Sequence, residues 1–174
     1  MHHHGLLHAM LALANVQVAN LQDTYPTVAM KHYHLAIHRL GENIISPTRK
    51  THIATLATAL LLAYFEVWTS DHSKWCKHLL GARLILLDIP LRRMSKSCWY
   101  SRASQRLPAD SGLDVRLLNK ITGLSVDYEV GNARPAYRGP SIQELMTYEN
   151  YADLYWWYCK MDVYQSILSG RPLM

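Results

Sequence analysis

Two pairs of side chains have the spacing of half a metal site. His34 and His38 are four residues apart and share a helix face, as do His72 and Cys76. Imidazole and thiolate are zinc ligands, and four such groups can close a tetrahedral site. Nothing in the sequence brings the two pairs together, no H-E-x-x-H arrangement adds a general base, and His4 with His8 is a weaker pairing still. These histidines read as a solvated helix surface, and no metal ligand is assigned. Catalytic groupings also lack local context. There is no G-x-S-x-G elbow, no phosphate loop and no G-x-G-x-x-G. Asp153 and Asp162 share a helix, but helical rise sets them about 13 Å apart on opposite sides, so they form no acid–base pair. No catalytic residue and no cofactor is expected in this chain.

Two other groups of residues could bind rather than react. Between Arg92 and Arg106 stand Arg92, Arg93, Lys96, Arg102 and Arg106 with no acid, and Trp99 and Tyr100 lie among them. Cations contact phosphates and aromatics stack on bases. The net charge of +5 resides in this window, because the remaining 13 basic residues balance 13 acidic ones. A nucleic-acid footprint normally spreads over a whole face, so direct DNA binding is not expected. Arg92, Arg93, Lys96, Trp99, Arg102 and Arg106 stand as candidate contacts for nucleic acid or a partner. The second group is Tyr155-Trp156-Trp157-Tyr158, which encircles a helix. Trp157 follows the core row, whereas Trp156 points elsewhere and is a candidate interface residue, since a bare aromatic patch invites a partner.

The elements that would position these residues follow from periodicity. Apolar residues make up 49% of 174, enough for a sizeable core. The longest apolar stretch, Ile53 to Phe65, is too short for a membrane span, and no signal-peptide pattern is present. Cys76, Cys98 and Cys159 are too scattered for a disulfide framework and suit a reducing compartment. His2 to His4 are assigned no function.

A first helix is expected over Gly5–Leu21, with Leu6, Met10, Leu13 and Gln17 in one row. A second covers about Thr27–Asn43, with Met30, Tyr33, Ile37, Leu40 and Ile44 facing the core and Thr24 or Thr27 as a cap. A third starts at Ser46-Pro47 and runs to Trp68 as the most enclosed element. Asp71 caps a fourth, whose row is Trp75, Leu79, Ala82, Leu86 and Ile89. Gly81 costs that helix about 1 kcal/mol against alanine, which a close helix–helix contact would offset. Residues 95–111 read as a loop. Leu113 to Gly131 form a fifth helix and 132–140 a second loop. Ser141-Ile-Gln-Glu144 is a capping box leading to a sixth helix with Leu154, Trp157, Met161, Tyr164 and Leu168 in one row. No stretch alternates with period two. The fold expected is all-α, an irregular helical bundle or loose α-solenoid of antiparallel helices.

Three stretches together resemble one family. Leu7 to Ala14 (LHAMLALA) resembles the opening helix of the fungus-specific regulatory domain, or middle homology domain, of zinc-cluster transcription factors. Leu60 to Leu87 (LLLAYFEVWTSDHSKWCKHLLGARLILL) is similar to its apolar helix, polar turn, tryptophan, His-Leu and Gly-Ala. Asp153 to Pro172 (DLYWWYCKMDVYQSILSGRP) resembles its aromatic helix with a following aspartate and a Ser-Gly-Arg-Pro end.

The resemblance implies a helical regulatory domain over 1–174, incomplete at its C-terminus, from a nuclear protein acting in RNA polymerase II transcription through partner or effector binding. The partners it implies are proteins of the transcription machinery or a DNA-binding module elsewhere. In the family that module holds two zinc ions on six cysteines. This chain has three, none in that spacing, so zinc is expected only outside it. No membrane association is expected, and self-association is. The other reading is a stand-alone helical protein-interaction module without DNA-binding function.

Overall fold

The computed structural model describes residues 3–106, 140–170 and 172–173, with side chains omitted for 99–106. Among them are seven helices and no strand: α1 (His4–Leu21), α2 (Thr27–Ile45), α3 (Pro47–Lys50), α4 (Ile53–Trp68), α5 (His72–Asp88), α6 (Leu91–Arg106) and α7 (Ile142–Ser169). The fold is all-α. The chain forms two compact units, the first of residues 1–91 with 147–174 and the second of 92–146. The expected fifth helix (113–131) and almost all of the 132–140 loop lie outside the described residues.

In the first unit α4 is the central element, as its apolar sequence predicts, with ten of its sixteen residues buried. Leu56, Leu60, Leu62 and Phe65 are at most 1% exposed. Each such burial contributes about 1.5–3 kcal/mol. Gly5 of α1 approaches Arg39 of α2 while His8 meets His32, so these two helices run antiparallel. Lys50 of α3 pairs with Asp88, and Glu66 faces His78, so α5 returns antiparallel along α4. On α7, Tyr151 donates to the Thr51 carbonyl at 2.8 Å, and Trp157, further toward the C-terminus, meets Tyr64, further along α4. That helix therefore runs parallel to α4.

Both hairpins turn by the same device. After α4, Ser70 takes a left-handed φ of 60°, its N–H donates to Val67 O, and Asp71 N–H donates to Glu66 O at 3.0 Å. This pair of bonds closes the helix end in a Schellman motif. After α1, Asp23 has φ 51° and Thr24 N–H reaches Ala19 O at 2.9 Å. Asp71 then caps α5 by accepting from Lys74 N–H. The capping box at α7 is complete: Glu144 N–H donates to Ser141 Oγ at 3.2 Å, and Ser141 N–H donates to Glu144 Oε2 at 2.7 Å.

Several sequence expectations are corrected. Residues 95–106 are helix, not loop, and continue α6 from Leu91. The expected third helix is two, broken at Thr51-His52, where His52 Nδ1 accepts from Ala54 N–H and starts α4 anew. No side chain caps α2; Pro26 occupies the position before it. The row buried in α1 is Gly5, Ala9, Ala12, Val16 and Ala19, one position from the predicted row, and Met10 is exposed. In α2 the buried residues are Ala29, Tyr33, Ala36 and Leu40, with Ile37 and Ile44 outside. Small residues on both helices allow the close approach at Gly5, where a Cβ would lie 3.2 Å from the Arg39 Cβ. Gly81 makes no such approach: nothing stands within 4 Å of where its Cβ would be. The predicted α5 row is the observed one, with Ile85 added.

These placements set two expected outcomes, each read as a urea midpoint at unchanged slope. Gly81→Ala stabilises the protein by about 0.5–1 kcal/mol, because the new methyl enters open space on a helix interior. Leu60→Ala destabilises it by about 2–5 kcal/mol through the cavity left in α4's packing.

Candidate functional site

The one carboxylate inside the run Tyr64-Phe-Glu-Val67 is the first feature of the site. Glu66 is 2% exposed. An isolated buried carboxylate is strongly disfavoured, so donors must converge on it. Tyr33 of α2 donates its hydroxyl to Oε1, and Thr69 at the end of α4 donates to Oε2 at 3.0 Å. His78 Nε2 lies 3.0 Å from the Tyr33 oxygen and 3.8 Å from Glu66 Oε1. With its single proton committed to Glu66, the Tyr33 hydroxyl accepts from His78, which places the histidine proton on Nε2. Burial, then the bond to Glu66, pushes the Tyr33 hydroxyl far above its ordinary range. Burial holds His78 below its ordinary 6.5 and Lys74 adds to this, while Glu66 pulls the other way. Tyr33 also stacks on Phe65, with ring centroids 4.7 Å apart.

Glu66 also borders a cleft of about 630 Å³. One wall is the C-terminal half of α4 and the start of α5, with Tyr64, Val67, Ser70, His72 and Trp75; the other is α7, with Trp157, Lys160, Met161, Tyr164, Ile167 and Leu168. All belong to the first compact unit. Trp157 meets Tyr64 edge-on, with centroids 6.3 Å apart. The predicted core row of α7 therefore divides. Leu154, Trp157 and Met161 pack against the core, but Tyr164 and Leu168 are exposed at the cleft. The face that α7 buries carries Tyr158, Met161, Asp162 and Gln165. Gln165 donates to Ser169 Oγ at 3.1 Å and contacts Cys76 Sγ at 3.6 Å. Sequence reasoning missed Tyr33, Glu66, Thr69, His78, Ser70 and Lys160 as site residues; the lone acid in an apolar helix was the available signal.

Of the residues singled out from sequence for metal or partner contact, His72 and Trp157 line the cleft, and the others whose side chains are described are not in its lining. Arg92, Arg93 and Lys96 are exposed on α6. Trp99, Arg102 and Arg106 are on the same helix, with side chains outside the description. Helical geometry sets positions 92, 96, 99, 102 and 106, spaced 4, 3, 3 and 4, along one side of α6. Trp156 is 64% exposed and meets Tyr155 edge-on. His34 and His38 are exposed on α2, while His72 Nε2 lies 3.6 Å from Cys76 Sγ on α5. Among the described residues no three histidine, cysteine or acidic side chains converge as metal ligands. Cys76, Cys98 and Cys159 stand on α5, α6 and α7 and form no disulfide among the described residues. No helix among the described residues is long and apolar enough to cross a membrane.

The described residues thus define an all-helical protein with a cleft of about 630 Å³. A model of the fungal specific transcription factor domain matches residues 1–109, well over half of the chain. The protein belongs to that family, which is one of transcription regulators rather than enzymes. No curated protein and no solved structure matches the chain.

The buried cluster makes stability depend on pH in a definite direction. The unfolded chain takes up protons on histidine near 6.5, while folded His78 resists protonation, so stability is full above that value and falls as the pH drops through the lower folded value. His8 and His52, also held low chiefly by burial, act in the same sense. Melting temperatures taken from about pH 7.5 to about pH 5.5 should fall, and fall less in His78→Gln. Tyr33→Phe, which leaves Glu66 short of a donor, should cost about 1–3 kcal/mol in denaturant unfolding at neutral pH.

Proposed function

We propose that this protein is the regulatory region of a nuclear fungal transcription factor, acting in RNA polymerase II transcription by binding an effector at the cleft and passing that event to a DNA-binding module or to the transcription machinery. Family membership supports the transcriptional role. The observation that carries the effector reading is the cleft of about 630 Å³ between α4–α5 and α7. Its volume falls within the range of small-molecule sites, about 300–1,000 Å³, and its lining has their usual character, apolar and aromatic with a few polar groups. The cleft is also placed to influence the fold, because one wall is continuous with the Glu66 cluster that joins α2, α4 and α5. A ligand that favours one arrangement of α7 against α4 shifts a population by its differential affinity for the two arrangements. The basic row on α6 is a second contact surface in this reading, facing an acidic partner protein rather than DNA.

The chain fused to an unrelated DNA-binding domain tests this with a reporter in a fungal host. The fusion should alter reporter output relative to the DNA-binding domain alone. Trp157→Ala and Tyr164→Ala should change that output by about fivefold or more, whereas Leu84→Ala, at an exposed position outside the cleft lining, should not. Identical output with and without the chain, across growth conditions, would overturn the proposal.

A further inference from the structure

The polar groups of the cleft indicate what kind of molecule it takes. Glu66, the only acid in the lining, already accepts from Tyr33 and Thr69, one hydroxyl on each oxygen. Asp71, next to the lining residue Ser70, is also engaged: it accepts from Lys74 N–H at 3.0 Å and pairs with Lys74 Nζ at 2.9 Å. The groups with unused capacity are of the opposite kind. Trp75 is 5% exposed, yet its indole Nε1 has no hydrogen-bond partner among the described residues. Lys160 forms no ion pair among the described residues, and on α7 it stands between Trp157 and Tyr164, one turn from each. Ser70 lines the cleft in a left-handed turn, and its hydroxyl makes no hydrogen bond among the described residues. Indole nitrogen donates only, lysine donates and carries charge, and serine can donate. A cationic ligand would meet Lys160, while Glu66 is buried and already engaged by two hydroxyls. An acid would find these donors and aromatic side chains in one lining.

We propose that the cleft binds a small apolar carboxylate, its anionic end taken by Lys160 and Ser70 and its body lying against Tyr64, Trp75, Trp157 and Tyr164. This deepens the effector reading above and rests on it for biological meaning, but the binding chemistry is tested separately. A charge-assisted bond from the exposed Lys160 favours the acid over its uncharged analogue. The aromatic walls supply affinity but by themselves favour a cation, so selection of the acid rests on Lys160 and Ser70.

Calorimetric titration of the full chain with three matched probes decides the matter: naphthoate, naphthylmethanol and naphthylmethylammonium. Naphthoate should bind about tenfold or more tighter than either of the others. Lys160→Gln should bring naphthoate down to the affinity of the alcohol and leave the alcohol unchanged. Trp157→Ala should weaken all three; if it fails to fold, Tyr164→Ala, at a 61% exposed position, takes its place. The proposal is overturned if the ammonium probe binds as tightly as the acid, if naphthoate keeps its advantage in Lys160→Gln, or if none of the three binds at millimolar concentration. An inert reporter fusion beside selective naphthoate binding would remove the regulatory role and leave this site standing. An active fusion beside unselective probes would do the reverse.

Discussion

A carboxylate that is 2% exposed restricts a helical fold more tightly than any apolar contact around it. Leucine and alanine surfaces tolerate small slides and repacking. Glu66 tolerates neither, because each unpaired acceptor on it would cost several times what a typical hydrogen bond returns. Its donors come from separate places: Tyr33 on α2, and Thr69 just beyond α4, with His78 on α5 behind the tyrosine. Moving α2 or α5 along α4 by one turn, about 5.4 Å, would strand the charge. The apolar residues of α4 thus supply most of the stability, while Glu66 sets the register in which three helices meet. Stacking of Tyr33 on Phe65 fixes the ring that delivers the key hydroxyl, so the polar and apolar requirements are met by one side chain.

What could be read from sequence depended on whether large apolar residues marked the buried row. In α5 they do, and Trp75, Leu79, Ala82, Leu86 and Ile89 face inward as their spacing requires. In α1 they do not. Leu6, Met10 and Leu13 outrank alanine in hydropathy, but the close seam with α2 selects small residues, and Gly5, Ala9 and Ala12 occupy it. Close approach is a property of a pair of helices and leaves no mark in either alone. For α6, a polar and basic composition suggested a loop. Arginine, lysine, alanine, methionine and glutamine are nevertheless strong helix formers, and a helix needs no apolar row to exist. The Glu66 cluster was legible only as an acid out of place, since its partners lie 33 and 12 residues away in opposite directions along the chain.

The same logic explains why α7 carries polar residues inward and apolar ones outward. Its buried face includes Asp162 and Gln165, while Tyr164, Ile167 and Leu168 remain open beside the cleft. Were burial of apolar area the only requirement, rotating the helix by a fraction of a turn would serve better. The observed rotation places Gln165 against Cys76 of α5, the polar contact that this face makes with a neighbouring helix. The aromatic row of α7 is then left as a wall. A wall of exposed tyrosine, isoleucine and leucine is costly in water unless something covers it for part of the time. Under the effector reading proposed above, a site filled only when its ligand is present would meet that condition and would tie occupancy to the packing of α7 against the helices that Glu66 holds in register.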